Sequence, residues 1–266
     1  MSRLRQIWRA LGAGTRVAVM IALQYRASFV GEAAMALLWI FWMVVPLFVV
    51  FRYTASGIDG WTYDEALLVV GCFITLQGIL EAFIDPNLRA VVEHVRQGTL
   101  DFVLLKPIDA QILVSVQRTA PTKIPHMLAG VGLLVVASAR LAHPPGPAQV
   151  LLAVLLLLAG AAILHSLWTL VVSTSFWFVR VDNLSYLLGS VLDAGRWPVG
   201  FFQGAVRFVL TFILPVGLMT TWPALALRGL ISPAAALGAL GLAAAFALVA
   251  RAVWTFALRH YSSASS

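Results

Sequence analysis

Long apolar runs, each closed by a short polar stretch, set the pattern of this chain. Residues 29–51, "FVGEAAMALLWIFWMVVPLFVVF", hold a single charged side chain, Glu32, in 23 positions. About twenty residues at a 1.5 Å rise cross the hydrocarbon layer, so this run predicts a first membrane-spanning helix. Pro46 inside it is a kink that neighbouring helices can shield. Comparable runs at 65–84, 121–141, 149–178 and 233–258 predict four more spans. The 149–178 run is long enough to tilt or protrude. Between 183 and 230 the pattern is less regular. "NLSYLLGSVLDAGRWPVGFF" is moderately apolar and carries Asp193 and Arg196, while "FVLTFILPVGLMTTWPALAL" is more apolar but interrupted by Pro215 and Pro223. The pattern leaves open whether 183–203 and 208–227 each cross. The favoured expectation is one crossing plus a broken or re-entrant element over 200–230, at the outer face, with Pro198, Pro215 and Pro223 marking its breaks. The predicted fold class is an all-α integral membrane protein: a single six-span bundle over 29–260. Ahead of it, 1–28 predicts an amphipathic helix lying in the membrane interface, with Arg5, Arg9 and Arg16 on one face and Leu4, Trp8 and Leu11 on another.

Composition rules out a soluble domain. Of 266 residues 61% are hydrophobic and 11% charged, against about 25% charged in ordinary soluble proteins. The runs are too long and unbroken for barrel strands, which alternate over about ten residues. The net charge of +7 points to membrane topology rather than to nucleic acid, because basic residues hold loops on the cytoplasmic side. Arg3, Arg5, Arg9, Arg16 and Arg26 precede the first span, and Arg89, Arg96, Lys106, Arg118 and Lys123 fall within 85–123, whereas 53–64 and 142–148 contain no Lys or Arg. The expected arrangement has both termini and the 85–118 loop in the cytoplasm, in a bacterial plasma (inner) membrane protein.

Catalytic chemistry is hard to find. No G-x-x-x-x-G-K-[ST] run exists to cradle ATP phosphates. The five histidines are scattered without metal-ligand spacing, and the lone Cys72 allows no intrachain disulfide. Neither a catalytic residue, a metal nor a bound cofactor is expected. Charged groups at membrane depth mark functional candidates. Here Glu32 and Glu81 fall near span ends and are expected to be solvated, while Asp193 and Arg196, three residues apart, are expected to pair.

One mixed island stands out, "HVRQGTLDFVLLKP" at 94–107. Before it, "NLRAVVEHVRQG" predicts a short amphipathic helix, with Asn87 as N-cap, Leu88, Val91, Val92 and Val95 on one face, and Arg89, Glu93 and Arg96 on the other. Gly98 is the expected stop and Lys106-Pro107 the expected end of a second turn capped by Thr99. Apolar anchors with a charged rim are what a specific, transient interface uses. The plain alternatives are a helix stop, a topology-setting charge and a cap.

At this point "VRQGTLDFVLLKPID" resembles the cytoplasmic loop of bacterial ABC transporter permeases of the type-2 exporter class, in the branch with an R-x-G-x-L-D-x-x-L-x-K-P signature after span two. The matching positions are Arg96, Gly98, Leu100, Asp101, Leu104, Lys106 and Pro107. "VRVDNLSYLLGSVLDAGRWP" at 179–198 and "LPVGLMTTWPALALRG" at 214–229 are similar to the same branch, so the resemblance covers nearly the whole chain. It implies a permease subunit that exports an unidentified substrate, expected to be amphipathic; the nine Trp and fifteen Phe fit an interfacial belt as well as a lining for such a substrate. It also implies a coupling helix formed by Glu93, Arg96, Gly98, Leu100, Asp101, Leu104, Lys106 and Pro107. The implied partners are two separate ABC ATPase subunits, which carry the ATP and Mg, and a second permease chain, identical or related, in contact with membrane lipid. On this reading, replacing Leu100 and Leu104 by Asp releases the ATPase without unfolding the bundle. A stand-alone secondary transporter or channel is the alternative, and an intramembrane enzyme a more distant one.

Overall fold

The computed structural model describes residues 20, 26–54, 58–178 and 182–261. The interfacial helix expected over 1–28 lies almost wholly outside the described residues. Among them the chain is helical, without a named strand. The principal helices are α1 (Arg26–Arg52), α2 (Tyr63–Ile79), α3 (Asp85–Gln97), α4 (Asp101–Leu104), α5 (Ala110–Val116) and α6 (Ile124–Arg140). They are followed by α7 (Pro147–Ser173), α8 (Asp182–Leu192), α9 (Gly204–Phe208), α10 (Val216–Leu227) and α11 (Pro233–Arg259). Among the described residues five stretches are long and apolar enough to cross a membrane, Val30–Arg52, Tyr63–Gln97, Pro121–Arg140, Pro147–Phe176 and Pro233–Arg259, and a sixth if the bent pair Gly204–Ile213 and Val216–Leu227 is one span.

The longest of these, Tyr63–Gln97, starts from a reciprocal cap. The Glu65 carboxylate accepts from Thr62 N–H at 2.8 Å, and the Thr62 hydroxyl accepts from Glu65 N–H at 3.4 Å. The sequence ends this span at residue 84, just before Pro86, with Asn87 capping a new helix. The backbone instead runs on through a π turn, Leu80–Ile84, in which Asp85 N–H reaches back to the Leu80 carbonyl. That wider turn lets Pro86 enter at the start of α3 without breaking the rod. Asn87 is buried rather than a cap. Its amide donates to the carbonyls of Phe83 (2.7 Å) and Arg118 (2.6 Å) and accepts from Arg118 N–H (2.6 Å), closing the base of the 85–118 loop.

Alongside it, α6 packs against α2 at backbone distance. Gly78 faces the Met127 backbone, and a Cβ added at Gly130 would lie 2.5 Å from Thr75 N. Small residues allow this approach, which dispersion and packing then reward in the absence of a hydrophobic drive inside lipid. On its other side, α7 meets α10 at another close contact, Gly160 beneath the Met219 backbone. Trp254 of α11 and Leu68, Ile74, Leu156, Ile163 and Leu218 fill the interior.

Residues 182–230 resolve into two parts. The 3-10 turn Asp193–Arg196 lies against the middle of α2, where Gly195 abuts Phe73 and Val216. Beyond buried Pro198, the turn Val199–Phe201 reaches the Asp59 side chain at Gly200 and the Phe51 ring, 6.4 Å from that of Phe201. The segment thus runs from the end of the molecule that carries the 85–118 loop (the loop end) to the opposite, distal end. Then Gly204–Ile213 and Val216–Leu227 form a pair bent by 84°. Its second limb finishes at Arg228, whose guanidinium is 2.8 Å from Glu65, donates to Gly60 O at 3.0 Å and lies over the Trp61 ring. Both limbs therefore meet the distal end, and the bend at Leu214–Pro215 lies at the depth of Phe73. Pro215 caps the bend and Pro223 sits buried within α10 without ending it.

Candidate functional site

Two features at the loop end concentrate the polar chemistry. The first is the island itself. Gly98 ends α3 in the left-handed conformation (φ 67°), a backbone geometry that costs glycine nothing. Thr99 N–H bonds the His94 carbonyl at 2.9 Å, and its hydroxyl pairs with His94 Nδ1 at 2.8 Å, so the Thr99 side chain secures the stop and does not cap α4. In the next turn the apolar residues divide. Leu100 (0% exposed) and Val103 (4%) point into the bundle, while Phe102 (70%), Leu104 (38%) and Leu105 (80%) face outward. Glu93, Arg96, Lys106 and Pro107 are exposed around them. Asp101 is half-buried beside Tyr261, whose phenol is pushed up in pKa by burial first and by the Asp101 charge second. Leu100 therefore belongs to the loop's anchor, not to its outward face: a charge placed there would be driven into the core. The sequence could not make this division, because an apolar residue in a four-residue turn is equally fit for either side.

The island is braced from behind. Asp109 caps α5, accepting from Ile112 N–H at 3.2 Å, and its two carboxylate oxygens take Arg251 of α11 at 2.9 and 2.5 Å. That bidentate pair holds the Asp109 carboxyl below its ordinary range; partial burial opposes it. Arg251 also donates to Gln111 at 3.0 Å, and Ser115 pairs with His165 of α7 at 3.0 Å. Asp109 and Arg251 escaped the sequence reading, and Asn87 entered it only as a helix cap. Two signals were there: an Asp just before an apolar helical run, and a base about two turns inside the end of an apolar span.

The second feature is a pair of cavities. One, of about 750 Å³, lies between α2, α3, α7, α8 and α10. The other, of about 680 Å³, lies between α1, α2, α6 and the Asp193–Arg196 turn. Gln77, Glu81 and Asp193 line both. Glu32 and Glu81 are not simply solvated: Lys123 Nζ sits 2.8 Å from both Glu32 oxygens, and His126 Nδ1 lies 3.2 Å from Glu81. Asp193 and Arg196, expected to pair, both line the second cavity, where Arg196 stands near enough for its charge to act on Asp193, with no salt bridge between them among the described residues; Asp193 also faces the first cavity. Among the described residues no cluster of His, Cys, Asp and Glu is arranged to hold a metal ion.

Comparison with known proteins bears on these features. A family model described as "ABC-2 family transporter protein" matches residues 37–265. No curated protein and no solved structure matches the chain.

Proposed function

The chain belongs to the ABC-2 family of transporter proteins, and from that premise we propose that it is the membrane permease subunit of an ATP-driven exporter. A separate ABC ATPase docks on the 94–107 island and supplies ATP and Mg. The observation that carries this reading is the outward apolar group Phe102, Leu104 and Leu105, ringed by Glu93, Arg96 and Lys106 and braced through Asp109 to α11. A solvated loop gains nothing from such a face, whereas an interface core with a charged rim needs one. Movement of a docked subunit reaches the last span through the Arg251–Asp109 pair, and it reaches the distal end through the continuous Tyr63–Gln97 rod.

The remaining parts of the reading follow. Two ATPases serve a pair of permease chains, identical or related, in a bacterial inner membrane. The loop end, which holds Arg89, Arg96, Lys106, Arg118 and Lys123, faces the cytoplasm together with both termini. The bent hairpin 204–227 lies at the outer face, and the cargo is an amphiphile.

The test is co-purification of an ABC ATPase with the tagged chain. Phe102→Asp with Leu105→Asp should remove the ATPase while leaving thermal stability unchanged, since both side chains are exposed. Retention of the ATPase by that variant refutes the docking surface. Substrate transport by the chain alone in vesicles would favour a secondary transporter.

A further inference from the structure

The stretch Pro147–Phe176 ends in a second exposed apolar group at the loop end. After α7 the chain makes a 3-10 turn, Thr174–Phe176, that packs against both α3 and α11. Phe176 points inward, edge-on to Trp254 and Tyr261 with ring centroids 5.8 and 5.9 Å away. Tyr261 in turn lies close enough to Asp101 of the island to feel its charge. Trp177 points the other way and is 44% exposed. Its ring lies 5.9 Å from Phe256 and 6.0 Å from His260, at the end of α11, and those two rings are 4.3 Å apart. Phe256 and Phe178 are exposed too, as is Arg259 next to His260 in the chain.

Aromatic side chains at a span end commonly form a lipid-facing belt, so the depth of this group decides its partner. Two polar links mark where α5 crosses the spans: Ser115 to His165 of α7, and Asp109 to Arg251 of α11. The second is a half-exposed ion pair, which marks the edge of the hydrocarbon because charge is costly any deeper. Trp177 follows His165 by twelve residues and His260 follows Arg251 by nine. At about 1.5 Å per residue they stand about 18 and 14 Å beyond those links. The polar zone of a bilayer is only about 5–8 Å deep on each side. Trp177 and His260 therefore lie past the headgroups, on the same side as the island. Exposed apolar surface in that position marks a contact with protein.

Area points the same way. A whole aromatic side chain offers roughly 150–250 Å², so Phe102, Leu104 and Leu105, each only partly exposed, fall short of the about 800 Å² that each partner gives to a stable interface. We infer that Trp177, Phe178, Phe256 and His260 form a second docking patch for the ABC ATPase, continuous with the 94–107 island through Phe176 and Tyr261. The inference rests on the docking reading above and extends its footprint to the ends of α7 and α11. An apolar centre with Arg259 at its rim repeats the make-up of the island, and Trp and Arg are the side chains most often found at the energetic centre of interfaces.

The test is the affinity of the full-length chain, in lipid nanodiscs, for the ATPase that co-purifies with it. Trp177→Ser with Phe256→Ser, which leaves the island intact, should weaken binding at least fivefold, and Trp177→Phe with Phe256→Leu should restore most of it. That restoration separates a lost contact from a lost fold. A benzophenone attached at Phe256→Cys should cross-link to the ATPase on illumination, with buried Cys72 left unlabelled. Unchanged affinity in the Ser variant overturns the inference while the island's docking stands. So do cross-links that reach only phospholipid, a second copy of the chain or its own N-terminal residues. If no ATPase co-purifies with the native chain, the docking reading itself falls and the second patch falls with it.

Discussion

Gly130→Ala tests one of the tight backbone contacts between α2 and α6. The new Cβ would lie 2.5 Å from Thr75 N, 2.7 Å from Thr75 Oγ1 and 2.9 Å from the Ile74 carbonyl carbon, where ordinary contact begins at 3.4 Å. Two of the three obstacles are backbone, which cannot rotate aside, so α6 must move off α2 by about 1 Å. A gap of that size forfeits roughly a quarter to a half of each dispersion contact along the seam. Overpacking of this kind costs about 1–3 kcal/mol. The Ala side chain also returns about 1 kcal/mol of helix propensity, which a control on the same helix removes. Gly132 lies two residues on, with nothing within 4 Å of its added Cβ. Gly132→Ala collects the propensity gain without the clash, so the difference between the two variants isolates the overpacking. At roughly 2–4 °C per kcal/mol, thermal unfolding in detergent, followed by tryptophan fluorescence, should separate them by several degrees, Gly130→Ala melting lower. Equal melting temperatures would refute the seam.

Three further outcomes follow from the described contacts. The Asp109 carboxyl is held low by Arg251, so its contribution is present above the unfolded carboxylate value and lost as pH falls through the lower folded one. Both partners are partly exposed, which limits the gain to about 1 kcal/mol or less. Melting curves from pH 6 down to 3 should show the native chain's small advantage over Asp109→Asn vanish at the acid end. Asn87→Ala orphans the backbone groups of Arg118 that Asn87 joins to α3. It should cost about 1–3 kcal/mol and raise hydrogen exchange at 116–120 before the spans respond. For orientation, cysteines replacing exposed Tyr53 and Gln97 should label from opposite sides of the membrane, only the former from outside, while buried Cys72 adds little background. Labelling of both from one side would undo the assignment of faces.

The apolar runs made the spans legible, because a helix in lipid must satisfy its own backbone over the whole hydrocarbon thickness and that length is written in the sequence. Continuity was not legible. Pro86 reads as a terminator, and only the π turn at 80–84 shows that the missing N–H falls where a wider register needs none. The same applies to Leu100 and Phe102. Both are large and apolar, and their opposite fates depend on how Gly98 aims the following turn against α5 and the C-terminal end. The ion pairs that bind the cavity walls, Glu81 to His126 and Glu32 to Lys123, join residues 45 and 91 positions apart. Nothing local in the chain pairs them.

The unbroken Tyr63–Gln97 helix has a mechanical consequence. Its 35 residues form a lever about 52 Å long at 1.5 Å per residue. One end is fixed to the exposed turn by Gly98 and the other to the Thr62–Glu65–Arg228 knot. A tilt of about 5° about its midpoint moves each tip through roughly 2 Å, in opposite directions. The π turn at Leu80–Ile84 lies about halfway, beside Gln77 and Glu81, so the fulcrum and the charged wall of the cavities are neighbours. A push at one rim is therefore returned at the other by an arm of about equal length, with the wall between the two cavities at the pivot.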